Sequence, residues 1–418
     1  MRRRDLLAAS AAAVGLAGCT LSGNTTTNTT GNSSPTASET PHHSSPQQTQ
    51  TASSTVTPTL GGSLNGRPRR ISDDIELVEK SNTTVIHAFL DVRKKYEQGI
   101  DPRDDPDITA LQRVSQNTGV DCIIALKWNF TGNFGNLEAI RVPSAESSYR
   151  QALFEYATEL LTAIGSSVTT LVLGNEPIWE TPDVDLKGQD STLLSFTRDL
   201  NNHLLANYTA SDPQVLVGAF NRLYGDYVRK KYEQFYQQLV ELFRTDADID
   251  GIDLHVHYNG FQQATTMLAE ARDAVPDGTI TVSEFSPVWR YKQYIDATLD
   301  AFETGSEFAD RYEIAPETTI TEYYETATDH PQSPQEMADF MEAMPWYNVN
   351  FIEDMYEVLD EYDVQLGTVG FLQDTGFRHA NLRDDWLPFQ INYLFQRGVI
   401  DSEDGAHPHY LAEYRNRT

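Results

Sequence analysis

Short apolar runs of strand length alternate with amphipathic stretches from about Leu60 to Gln373, and this alternation confines the chain to a parallel sheet with helical crossovers. Parallel strands are buried on both faces, so they read as continuous aliphatic and β-branched runs. Seven such runs are clear: Thr84–Val92, Asp121–Trp128, Val168–Asn175, Gln214–Phe220, Ile249–Tyr258, Thr279–Phe285 and Leu366–Gln373. An eighth, first in order, falls in Thr57–Leu64, where Gly61 and Gly62 weaken the strand signal. Helices are predicted between them at Ser72–Ser81, Asp105–Thr118, Ser144–Gly165, Thr192–Asn207, Lys230–Thr245 and Gln262–Val275. Together these predict an α/β fold, a (β/α)8 TIM barrel, over residues 61–418. The run Val288–Val364 is far longer than the other crossovers, with helical stretches at Tyr291–Glu303 and Asn350–Tyr362 around an acidic middle. It reads as a long helical insertion (about 288–364) between strands seven and eight, too polar to form a good core alone.

The residues ahead of the barrel are of another kind. Arg3-Arg4-Asp5-Leu6-Leu7 and the Ala/Gly/Leu run behind it resemble a twin-arginine (Tat) export signal, and Leu16-Ala17-Gly18-Cys19 resembles a lipoprotein cleavage box. Residues 1–19 are therefore expected to be removed, leaving lipid on Cys19 and the protein anchored at the extracellular face of the cell membrane. The apolar run Leu6 to Gly18 is too short to span a bilayer as a mature helix. The other reading is an ordinary secretory signal with a chance cysteine. Residues 20–60 are almost entirely Thr, Ser, Asn, Gln, Pro and Gly, with no Lys or Arg and one acid, Glu39, and cannot bury enough apolar surface to offset their ordering entropy. A disordered tether is expected, with glycosylation acceptors at Asn24, Asn28 and Asn32.

Charge narrows the partners. The chain has 31 Lys and Arg against 61 Asp and Glu, a formal charge of −30, and only eight of the basic residues are Lys. An acidic, Arg-favouring surface resembles proteins of salt-loving archaea; at molar salt the screening length is only about 3 Å, so self-repulsion is suppressed there. A mesophilic acidic protein is the alternative. Nucleic-acid binding is disfavoured, because no basic patch exists to displace counterions. Of the two cysteines, Cys19 is assigned to lipid and Cys122 lies in an apolar run, so no internal disulfide is expected.

Two glutamates stand where strands end. Glu176 follows Leu171-Val172-Leu173-Gly174-Asn175 and precedes Pro177; Glu284 follows Ile280-Thr281-Val282-Ser283 and is followed by Phe285-Ser286-Pro287. A carboxylate at the mouth of a strand is rigidly held, and two of them can flank one scissile bond. Glycoside hydrolysis needs that pair: one acid to protonate the leaving oxygen and one carboxylate to attack the anomeric carbon. The bland readings are a helix-capping or surface carboxylate at each position. The insertion is expected to lie over the face where these residues emerge.

With Asn175-Glu176-Pro177 ending the fourth strand and Ser283-Glu284-Phe285 the seventh, the chain resembles the clan A retaining glycoside hydrolases. The resemblance implies Glu176 as acid/base and Glu284 as nucleophile, without a cofactor or metal, acting on an oligosaccharide or polysaccharide. Asn175 would donate its amide to the sugar 2-hydroxyl. Glu176 would need a raised pKa and Glu284 hydrogen-bond donors that keep it ionised. On strand six the period of two puts Asp253, His255 and His257 on one face. The resemblance assigns sugar-site roles, including holding the nucleophile, to His257 and Tyr258, and to His255. Trp128, Trp179 and Trp289, near strand ends, are candidates for sugar stacking, with ordinary packing as the alternative; His87, inside strand two, is a further candidate for the site. The chain departs from the pattern in having Arg93 only beyond the second strand's end and Phe371 where many families place a Trp.

Two other readings remain. A non-catalytic glycan-binding barrel of the cell envelope would keep the aromatic surface without needing two convergent carboxylates. A metal-dependent hydrolase would use His255 and His257, with His87 and Glu284 available as further ligands.

Overall fold

Each apolar run forms a strand, and the strands pair in sequence order. In the computed structural model, which describes residues 57–133, 137–187, 191–221, 226–373 and 387–418, eight parallel strands close into a barrel. They are β1 (Thr59–Ser63), β2 (Val85–Asp91), β3 (Asp121–Lys127), β4 (Val168–Val172), β5 (Gln214–Asn221), β6 (Gly251–His257), β7 (Thr279–Ser286) and β8 (Leu366–Gly370). β1 closes the ring by pairing with β2 on one side and β8 on the other. Cys19, residues 20–56 and Trp386 lie outside the described residues.

The crossover helices carry their own start and stop signals. Asp105 accepts a hydrogen bond from the Asp107 amide and Pro106 opens the helix Pro106–Thr118, which ends at Gly119 in the left-handed region (φ 73°). Ser191 caps Thr192–Asn207 in the same way. Ser148–Ile164, Asp226–Thr245 and Phe261–Ala274 complete the ring between β3 and β7. Their apolar faces and the outward faces of the strands form one continuous core, to which each buried Leu, Ile or Phe contributes roughly 1.5–3 kcal/mol. Inside the barrel a smaller plug of Val85, Ile123, Ala125, Val172, Leu216 and Leu366 fills the axis.

The segment between β7 and β8 corrects one expectation. It forms the helices Val288–Tyr291, Glu303–Arg311, Ile320–Asp329, Pro334–Ala343 and Phe351–Glu361. It buries Phe308, Tyr323, Tyr324, Met337, Phe340, Met341 and Trp346 within the same continuous core as the outward faces of the barrel strands. The predicted stretch Tyr291–Glu303 is broken, with a single 3-10 turn at Leu299–Ala301. The last helix, Phe351–Glu361, serves as the seventh crossover, packing on β8 and on Phe261–Ala274; the C-terminal helix Tyr410–Arg417 packs on it and on β1. Among the described residues no helix is long and apolar enough to cross a membrane.

Candidate active site

Period two along β6 turns Asp253, His255 and His257 to the barrel interior, all three nearly inaccessible to solvent. β7 needs a correction to join them. Thr281 faces inward opposite Asp253, so strict alternation would point Glu284 outward. A register shift after Leu254 pairs Glu284 with His255 and Ser286 with His257, and Ser283 is the extra residue. The bulge therefore re-aims Glu284 to the interior. Ser283 still serves the inside: its hydroxyl and amide both donate to Asp253, and the Thr281 hydroxyl donates to the same carboxylate.

Glu176 reaches the site by a different device. β4 stops at Val172, and Glu176 takes a left-handed conformation (φ 43°, ψ 55°) that costs about 1 kcal/mol in a residue with a Cβ. Pro177 then starts the short helix Pro177–Glu180. The turn sends the carboxylate of Glu176 back over the barrel mouth.

There the two glutamates meet one imidazole. His255 Nδ1 lies 3.2 Å from Glu176 Oε1 and 3.8 Å from Glu284 Oε2. His257 Nε2 lies 3.4 Å from Glu284 Oε2, and its Nδ1 is 3.0 Å from the Ser286 hydroxyl. Burial disfavours charge on His255, yet the Glu284 and Glu176 carboxylates outweigh it and push its pKa up to about 9. Burial likewise works against the Glu284 anion, but His255 and His257 bring its pKa down to about 2. The requirement for donors around Glu284 is thus met. For Glu176 the expected upward shift is reversed: burial raises its pKa, the hydrogen bond and charge of His255 lower it, and the net direction is down.

His87 belongs to the same cluster. It is fully buried on β2, and its Nδ1 is 3.0 Å from the Ser63 hydroxyl. Since Ser63 donates to Asn65 Oδ1 (2.9 Å), Nδ1–H is the donor to Ser63 and Nε2 is left as an acceptor. Burial pushes the pKa of His87 down to about 4, with Glu284 opposing the shift and His255 adding to it.

Several predicted site residues lie elsewhere. Tyr258, next after His257, faces the outer layer by the same alternation and packs against Phe261 at 5.0 Å; His255 and His257 hold Glu284 in its place. Trp128 is core: its indole N–H donates to the Leu173 carbonyl (3.2 Å) and its ring meets Phe196 edge-on at 4.9 Å. Asn175 does not offer its amide to the barrel mouth. It donates to Glu180 Oε1 (2.8 Å), the same oxygen that Lys127 Nζ approaches at 2.7 Å. Trp179 and Trp289 stay partly exposed, each on the short helix that follows its glutamate. Phe371 is fully buried against Phe395 and offers no platform; Arg93 is buried too, bonded to Glu97 and to the carbonyls of Asn129 and Glu138.

Two residues escaped the sequence reading. Asn221, at the end of β5 and in register with His255, donates its amide to Glu176 Oε1. A polar residue closing the apolar run Val215–Phe220 was the available signal. Phe389, one of few exposed large apolar side chains, stands perpendicular to His257 with ring centres 5.8 Å apart. Nothing in the local pattern of Leu387–Gln390 marks it. For metal binding, Glu176, His255 and His257 each offer one ligand atom within 4.8 Å of the others.

No family model matches the chain, and no curated protein matches it in sequence. Solved structures do. The chain is similar to an exo-β-1,4-mannosidase from Opitutaceae bacterium strain TAV5 (11% identity, TM-score 0.50), covering 86% of this chain and 59% of that one. A family 39 glycoside hydrolase from Bacteroides cellulosilyticus WH2 gives 12% identity and TM-score 0.47 over 85% of this chain and 64% of that one. A GH10 xylanase from Thermobacillus composti gives 11% and 0.42 over 75% and 83%. At such identities the likeness to the mannosidase speaks for the fold alone: the chain is a (β/α)8 barrel.

Proposed function

We propose that the protein is a retaining glycosidase or endo-β-glycanase that hydrolyses β-glycosidic bonds with Glu176 and Glu284. The observation that carries this reading is their convergence on one atom, His255 Nδ1, from the ends of two strands three apart in the barrel. Glu284, held anionic by two histidines, attacks the anomeric carbon while the glycosidic oxygen leaves with a proton from Glu176. Glu176 then takes a proton from water, and the hydroxide displaces Glu284 and frees the sugar. Glu176 must carry a proton when substrate is bound, and His255 Nδ1, 3.2 Å away, is the adjacent donor from which it can be supplied. Asn221 fixes the same carboxylate oxygen, and His87 Nε2 offers a buried acceptor for a sugar hydroxyl.

The proposed setting is the outer face of the cell membrane, with export by the twin-arginine route and lipid on Cys19. The mannosidase and the xylanase among the similar structures make β-mannan and β-xylan the first substrates to try. Proton NMR of the first product tests the reaction class. A β-anomer appearing before mutarotation is expected; an α-anomer first would mean inversion and a different role for Glu284.

A further inference from the structure

The same side chains have a second capacity. We propose that Glu176, His255 and His257 bind one divalent transition-metal ion of zinc size, with Glu284 beside the fourth position, and that this ion competes with glycoside. The competition clause rests on the glycosidase reading; the binding clause does not.

Geometry comes first. One donor atom from each of the three residues lies within 4.8 Å of the others. Neighbouring donors are 3.2 Å apart for His255 Nδ1 and Glu176 Oε1, and 3.4 Å for His257 Nε2 and Glu284 Oε2, while His255 Nδ1 and Glu284 Oε2 are 3.8 Å apart. Metal–ligand bonds of about 2.0–2.2 Å arranged tetrahedrally space adjacent donors roughly 3.3–3.6 Å apart. The His255 Nδ1–Glu176 Oε1 pair is already near that spacing, and the remaining separations within the set, at most 4.8 Å, close to it with side-chain movements of about an ångström.

Support and chemistry agree with that spacing. His255 and His257 project from a strand rather than a loop, so their imidazoles are pre-positioned. Ser286, 3.0 Å from His257 Nδ1, leaves Nε2 turned toward the cluster, and Asn221 holds the Glu176 carboxylate; such outer contacts orient ligands. Two imidazoles and a carboxylate suit zinc or cobalt rather than magnesium or calcium. Three protein ligands with one remaining position is also the pattern of zinc sites open to exchange. An ion here would lie on the Glu176 oxygen that must carry a proton, and in the space between the two carboxylates that an anomeric carbon has to enter.

The test uses the full barrel without a histidine tag, stripped with chelator. Zinc chloride is titrated by calorimetry and cobalt(II) chloride by visible absorption, on wild type, His255→Gln and His257→Gln, with melting temperatures as the folding check. One ion per chain, the intense visible band of four-coordinate cobalt(II) in wild type, and a loss of about a hundredfold or more in zinc affinity in either folded variant are expected. Absence of stoichiometric binding in wild type, or affinity unchanged in both variants, overturns the site. Should neither variant fold, the wild-type cobalt spectrum decides alone: a six-coordinate spectrum overturns the proposal. On a cleaved glycoside, zinc should inhibit and chelator restore turnover; turnover lost on chelation overturns the competition. Zinc binding by a protein that cleaves no glycoside leaves the site standing and counts against the glycosidase reading.

Discussion

His255 sets the electrostatics of the barrel mouth. Two carboxylates this close would repel if both ionised in a buried site, and one of them would normally take up a proton. Here the imidazole between them supplies the compensating charge, so the ligand-free state holds both glutamates low and the proton on nitrogen. His87 is the opposite case, a buried neutral histidine. Its depressed pKa means that the unfolded chain binds a proton near pH 6.5 while the folded chain resists until about pH 4. Stability from this residue is present above pH 6.5 and falls as the pH drops toward 4, by about 3 kcal/mol over that window. The variant His87→Gln should therefore show a shallower fall in melting temperature between pH 6.5 and 4 than the wild type. An unchanged slope would mean that another group carries the acid sensitivity.

At the scale of elements, strand order and the helical crossovers were legible because buried parallel strands leave apolar runs, clear in seven of them and weakened in β1 by Gly61 and Gly62. Glu176 and Glu284 could be placed at strand ends for the same reason. What aims them could not be read. The bulge at Ser283 and the left-handed turn at Glu176 are backbone choices that no hydrophobic period encodes, and without the bulge alternation puts Glu284 on the wrong face. Trp128 and Tyr258 were misassigned because proximity to a strand end does not say which face a ring takes. The insertion's share of the core was hidden by dispersal: Phe308, Tyr323, Phe340 and Trp346 come from separate short segments with polar residues between them. Phe389 belongs to a short helix, Leu387–Gln390, that no periodic pattern announces, yet it stands beside His257. Replacing Phe389 with Ala should raise KM about fivefold, the equivalent of about 1 kcal/mol of lost ring contact, with kcat little changed. A loss confined to kcat would place Phe389 outside sugar binding.

For the whole molecule, a formal charge of −30 makes ionic strength part of the folding problem. Self-repulsion among surface carboxylates weakens as the screening length shrinks, so the melting temperature should rise from dilute buffer to molar potassium chloride. A melting temperature that is flat or falls with salt would contradict the salt-loving reading of the composition. The proposed roles, attack by Glu284 and protonation by Glu176, separate when wild type, Glu176→Gln and Glu284→Gln are compared on aryl β-glycosides of graded leaving-group acidity in high salt. Glu284→Gln should fall to background on every substrate. Glu176→Gln should lose about 10²- to 10⁴-fold on poor leaving groups while the first step on the best ones is nearly spared. Wild-type rates in either variant, or a Glu176→Gln loss that ignores the leaving group, would contradict these roles.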